Sequence, residues 1–96
     1  MVVSMLLMVL KLSEGSTIKD KRKVVLGIKD KLYHRYRVSC AEVDLQDSRG
    51  FAEIGAALVS NSAEFGEKVL RDAVQFVESH YPIELYDVQT HSEIYG

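Results

Sequence analysis

Ninety-six residues are too few to divide between two cores, so one domain spanning residues 1–96 is expected, and 47% hydrophobic with 27% charged residues is too apolar a mixture for a disordered chain. A single cysteine, Cys40, excludes an internal disulfide and offers no pair for a zinc or redox motif, which suits a reducing, cytoplasmic setting. The formal charge of −2 hides a segregation: from Lys19 to Arg37 eight basic residues face only Asp20 and Asp30, whereas from Val38 to Gly96 three basic residues face eleven acidic ones.

Val2 to Leu12 is an almost unbroken apolar run rich in valine and leucine, the composition of a central strand covered on both faces. It lacks a basic n-region and is far shorter than the ~20 residues that span a bilayer, so no membrane is expected among the partners. Ser13 to Ser16 breaks the run, and Thr17 with Asp20 has the form of a capping box opening a helix to about Tyr36. Ile18, Val25, Ile28, Leu32 and Tyr36 then form its core stripe.

Val38 to Leu45 alternates, with Ala41, Val43 and Leu45 on one face and Cys40, Glu42 and Asp44 on the other, as in a half-exposed edge strand. Gln46 to Gly50 is a turn cluster, and Phe51 to Ser60 returns antiparallel to complete a hairpin. Asn61-Ser62 caps a second helix, Ala63 to His80, in which Phe65, Val69, Ala73, Phe76 and Val77 recur at helical spacing until Pro82 ends it. Ile83 to Thr90 is the last strand, followed from His91 by a polar tail. The element order predicts an α+β, ferredoxin-like βαββαβ sandwich: a four-stranded antiparallel sheet with two helices on one face. That fold serves many unrelated activities, so function has to be read from sites.

The basic first helix is the main functional lead. In projection Lys19, Arg22, Lys23, Lys29 and Arg37 share one flank with Leu26 and Tyr33, a surface suited to a phosphate backbone with an aromatic ring for stacking. RNA or a ribosomal subunit is the partner this implies. Five engaged phosphates on a single strand would give a salt slope on the order of −3 to −4. The competing interpretation is a solvated face paired with carboxylates elsewhere. The helix N-terminus behind Glu14-Gly15-Ser16-Thr17 also offers an anion site, but it lacks the P-loop pattern and its capping box uses part of it.

Base stacking on the sheet, as in RNA-recognition modules, is not expected, because the two middle strands hold a single aromatic, Phe51. Glu42, Asp44 and Asp47 with His91 invite comparison with a cation or acid–base site, yet carboxylates on an edge strand more commonly keep it from pairing. His34 and His80 lie near helix ends, and neither has a motif around it. No catalytic residue, metal or cofactor is predicted. The open sheet face should present Val3, Met5, Leu7, Val9, Ala57 and Val59, an apolar patch of the kind that mediates association, here as a homodimer or a regulatory interaction module.

Three stretches carry a more specific likeness: Ser16-Thr17-Ile18-Lys19-Asp20-Lys21-Arg22; Val38-Ser39-Cys40-Ala41-Glu42-Val43-Asp44 with Gln46-Asp47; and Val59-Ser60-Asn61. In this order and spacing the chain resembles the YlxP-like family of small bacterial proteins, a domain-of-unknown-function family. The resemblance spans nearly the whole chain and implies a ferredoxin-like fold and, from gene context, a link to ribosome maturation or RNA; it implies no catalytic site. A tryptophan that such proteins often carry after the Gln-Asp pair is replaced by the stretch Ser48-Arg49-Gly50-Phe51, where Phe51 is expected to take over its packing.

Overall fold

Alternation along the first strand decides the layering. A computed structural model describes residues 1–96, with elements in the order β1 (Val2–Leu12), α1 (Ile18–Tyr36), β2 (Ser39–Asp44), β3 (Phe51–Ser60), α2 (Ala63–His80) and β4 (Ile83–Ile94). The strands form one antiparallel sheet ordered β2-β3-β1-β4, and both helices cover one face, giving the ferredoxin-like sandwich. Val2, Ser4, Leu6, Met8, Leu10 and Leu12 of β1 are buried toward the helices, while Val3, Met5, Leu7 and Val9 are half-buried on the opposite, open face. The core joins Leu6, Met8, Leu10 and Leu12 of β1 to Val25, Ile28 and Leu32 of α1, Ile54 of β3, and Leu70, Ala73 and Val77 of α2.

Helix α1 starts where its capping residues dictate. The Thr17 hydroxyl accepts the Asp20 N–H at 3.1 Å, and the Asp20 carboxylate accepts the Thr17 N–H at 2.9 Å, which satisfies two free donors of the first turn. At the other end Arg37 adopts a left-handed conformation with φ 58°; its N–H donates to Tyr33 O, the single bond of an αL cap, and the Val38 N–H donates to Leu32 O.

Helix α2 opens at Ser62, whose hydroxyl accepts the Phe65 N–H at 3.2 Å. Its inward face is Gly66, Leu70, Ala73, Phe76 and Val77; Phe65, which the spacing assigns to the core stripe, is instead 56% exposed. Gly66 takes the inward position because α2 runs so close to β1 that a Cβ there would collide with Ser4 Oγ. Ser4 is fully buried, and its hydroxyl bonds Ser92 at 2.9 Å, which donates to Glu67 at 2.7 Å. This short polar chain ties β1, β4 and α2 together.

The edge strands depart from simple alternation. In β2, Cys40 and Glu42 pair with the helix-facing Ala56 and Ile54, and an extra residue at Val43 shifts Asp44 onto the open face opposite Glu53. Cys40 and Glu42 thus face the helices while Asp44 does not, and the Glu42 carboxylate has a purpose there. Lys21, in the buried stripe of α1 and only 2% exposed, directs its ammonium to the carbonyls of Leu45 and Ser48 and lies 3.1 Å from Glu42 Oε2. Glu42 is therefore a countercharge to a buried cation, not simply a solubilising group on an edge. Leu45, predicted to extend the strand, turns left-handed with φ 63°, and its carbonyl bonds Lys21.

Strand β4 also exceeds its predicted end. The segment His91–Ile94, expected as a tail, continues the pairing with β1 through Val2↔Ile94, and the Tyr95 N–H then donates to Met1 O at 2.7 Å. A register shift between Val9 and Leu10 leaves Tyr86 as an extra residue in β4. No helix is long and apolar enough to cross a membrane.

Candidate nucleic-acid interface

The inward stripe of α1, Lys21, Val25, Ile28 and Leu32, fixes what points away from the sheet. With 100° per residue, Lys19, Lys23, Leu26, Asp30 and Tyr33 fall on the outer side, flanked by Arg22 and Lys29, and Arg37 follows in the left-handed cap. All of these are exposed except Lys29, which is half-buried; Leu26 and Tyr33 are 65% and 57% exposed. The chain's ion pairs are Lys21–Glu42, His34–Asp30, Lys68–Asp72 and His91–Glu93, so Lys19, Arg22, Lys23, Lys29 and Arg37 have no carboxylate partner. Asp20 stays close to this cluster but is committed to the cap: hydrogen bonds from Thr17, first through its backbone, hold its carboxyl below the usual range, helped by Lys23 and Lys19.

Two hollows adjoin the flank. The larger is an open groove of about 1130 Å³ bordered by Lys23, Leu26, Asp30, Tyr33, Tyr81 and Pro82. Its wall is shaped by Gly27, where the Tyr81 ring rests 3.4 Å from the position a Cβ would take. The smaller, about 500 Å³, lies at the C-terminal end of α1 among Lys29, Tyr33, Arg37, Val38, Ser39 and Cys40. Lys29 and Tyr33 border both, whereas Lys19 and Arg22 stand on the first turns outside either. The structure thus gathers Lys29, Tyr33 and Arg37 at the smaller hollow, sets Lys23 on the larger groove with Lys29 and Tyr33, and leaves Lys19 and Arg22 outside both. Cys40 donates its S–H to Lys29 O at 3.4 Å, and burial raises its thiol above the ordinary value.

The open sheet face is the second candidate surface. Val3, Met5, Leu7 and Val9 are half-covered by neighbouring side chains, and Val59 is 65% exposed. A shallow trough of about 500 Å³ passes over Ala41, Gly55 and Ala57 beside Met5 and Leu7. Carboxylates rim this face, since Glu93 pairs with Val3, Asp87 and Glu53 both pair with Val9, and Asp44 pairs with Glu53. Phe51 and Tyr86 meet edge to face at 5.3 Å.

The remaining polar residues are dispersed. Glu42 serves Lys21, Asp44 accepts the Leu45 N–H at 2.7 Å, and His91 pairs with Glu93 at 2.7 Å. No group of three or more His, Cys, Asp and Glu stands close enough to hold a metal ion. His80 stacks on Phe76 at 4.1 Å and hydrogen-bonds the Phe76 carbonyl at 2.9 Å, while His34 leans on Asp30. The sequence reading missed the buried Lys21, although a signal was present: residue 21 lies four, seven and eleven positions before Val25, Ile28 and Leu32, on their own stripe.

Comparison with known proteins points to one relationship. Residues 3–90 match the family model described as a protein of unknown function (DUF503). The chain is 31% identical over 71 residues, 74% of its length and 77% of the relative's, to the uncharacterized protein YlxP of Bacillus subtilis (strain 168). Among solved structures it is similar to the crystal structure of the protein At3g17210 from Arabidopsis thaliana, with TM-score 0.53 and 11% identity over 98% of this chain and 95% of that one. At that identity the likeness concerns the fold alone.

Proposed function

The chain belongs to the DUF503 family of proteins of unknown function, and from that premise we propose a non-enzymatic RNA-binding role, on free RNA or on a ribosomal subunit, exerted through the outer face of α1. One observation carries this reading: five cations, Lys19, Arg22, Lys23, Lys29 and Arg37, sit on or beside the outer face of one helix with no carboxylate partner, next to an exposed tyrosine. Unpaired cations along one helix attract a polyanion and release its counterions, and an aromatic ring beside them holds an unstacked base.

Binding to single-stranded and structured RNA and to small ribosomal subunits, followed by fluorescence anisotropy over a salt series, tests the proposal. The variant Lys19→Glu/Arg22→Glu/Lys23→Glu should weaken binding more than tenfold and flatten the salt slope by about 2 for single-stranded RNA. Wild-type affinity in that variant would remove the proposal.

A second copy seated on the open sheet face is the alternative reading, favoured by the contiguous Val3, Met5, Leu7, Val9 and Val59. The carboxylate rim makes such a dimer tighten in high salt. Sedimentation equilibrium with Leu7→Lys decides it: a wild-type protein that stays monomeric at tens of micromolar ends that reading.

A further inference from the structure

We infer that the hollow at the C-terminal end of α1 is a subsite for one unstacked nucleotide, its phosphate held between Lys29 and Arg37 and its base laid on the Tyr33 ring. This rests on the RNA-binding reading and gives it a location. The charged side chains lining this hollow are both cations, and no carboxylate enters it. The neighbouring groove, by contrast, mixes Lys23 and Lys29 with two carboxylates, of which Asp20 is held by its cap and Asp30 can accept a hydrogen bond from the amino group of a base. Tyr33 and Lys29 border both spaces, so a nucleotide straddling them puts each chemical half against matching groups.

Further features favour that occupant. Lys29 and Tyr33 are one helical turn apart on α1, and the left-handed cap that follows brings Arg37 to the same hollow. Helix C-termini oppose anions; here the Arg37 and Val38 N–H groups occupy the Tyr33 and Leu32 carbonyls, which lessens that opposition, and the two cations offset the rest. The Cys40 thiol stays protonated, so no thiolate competes with the phosphate, and the exposed Ser39 adds a hydroxyl at the mouth. His34 meets the Tyr33 ring edge-on at 4.9 Å, which braces it for stacking. A volume of about 500 Å³ falls within the ~300–1,000 Å³ of small-molecule sites.

The test uses a fluorescein-labelled single-stranded octaadenylate, adenosine monophosphate and tripolyphosphate, with the variants Tyr33→Leu and Arg37→Gly. Arg37→Gly suits the left-handed position and keeps the helix end intact. Each variant should weaken octaadenylate binding about tenfold, whereas Tyr33→Leu should leave tripolyphosphate binding unchanged. In amide NMR spectra the ligand should shift Lys29, Tyr33, Arg37 and Ser39 together. Shifts with the monophosphate alone identify a free nucleotide as a sufficient ligand, and shifts with the octamer alone identify a nucleotide within a strand; both support the subsite. Wild-type affinity in both variants, while the triple glutamate variant still loses binding, overturns the subsite and leaves the RNA-binding reading standing. No binding of octaadenylate or of structured RNA by the wild type overturns both.

Discussion

Replacing Lys21 by methionine isolates the contribution of one buried charge. The aliphatic stem is already enclosed, so Lys21→Met preserves most of the packing while deleting the ammonium that serves the Leu45 and Ser48 carbonyls and Glu42. Hydrogen bonds to a charged group contribute ~1.5–3 kcal/mol each, and stripping one member from a buried ion pair costs ~3–5 kcal/mol. The Glu42 Oε2 that faces Lys21 is buried, but the side chain as a whole is 20% exposed and can turn toward water, which places the expected loss near the lower end, about 3 kcal/mol. That is a large part of the ~5–15 kcal/mol that holds a domain of this kind together.

Urea unfolding followed by far-UV circular dichroism should show the midpoint falling with little change in slope. Glu42→Gln alone should cost less, and the double variant should be more stable than the two single losses added together, by ~1–2 kcal/mol of coupling. Octaadenylate affinity should stay at the wild-type level, because this cation never reaches the surface. A Lys21→Met loss below about 1 kcal/mol, or strict additivity with Glu42→Gln, would show that the loop holds its shape without the ammonium.

Arg37→Gly should raise stability by about 1 kcal/mol, since glycine occupies the left-handed position without the steric cost of a side chain; a falling urea midpoint would contradict the cap assignment. Asp20 titrates below its ordinary value of 3.8 because Thr17 bonds its carboxylate, so its contribution to α1 is complete above that value and disappears as acid carries the pH through the lowered folded value. Asp20→Asn should abolish this acid-dependent fraying of the first turn, measured by amide exchange at Lys19 to Arg22, and an unaltered pH profile would refute it. Gly66→Ala should destabilise by ~1–3 kcal/mol, because its methyl meets the buried Ser4 side chain, and Ser4→Gly in the same chain should recover part of the loss. A neutral Gly66→Ala would mean that α2 lies farther from β1 than described.

Most of the architecture was legible because two caps set the phase of both helices. Thr17 and Ser62 begin α1 and α2 where the polar signals place them, and the run of β1, apolar apart from Ser4 and Lys11, points to an inner strand. The failures share a cause: periodicity ranks residues by polarity and knows nothing of the distance between layers. Phe65 lost the inward position to Gly66 because there was room only for a hydrogen. Lys21 sat on the apolar stripe and was passed over for its charge, although a turn with inward-facing carbonyls could receive it. His91 to Ile94 looked like a tail because a sheet edge tolerates polar residues that a middle strand would not.

The cationic flank was visible as a charge count, but its division into a first-turn stretch and a C-terminal hollow depends on where Tyr81, Ser39 and Cys40 come to rest, which spacing along α1 does not reveal. The stretches that carry the family likeness gain a physical meaning as well. Ser16 to Arg22 and Val38 to Asp47 converge on the cap of α1 and on the enclosure of Lys21, so much of that likeness reflects a way of closing the hairpin.

Both outer strands carry an irregularity, Val43 in one and Tyr86 in the other. Each interrupts the even row of N–H and C=O groups that an incoming strand would need as a template. Together with the carboxylates of Glu84, Asp87 and Glu93 along the longer edge, they hinder copies of the molecule from joining edge to edge into fibrils. Removing Tyr86 to straighten that strand is therefore a change that a crystallographer or engineer seeking soluble protein has reason to avoid.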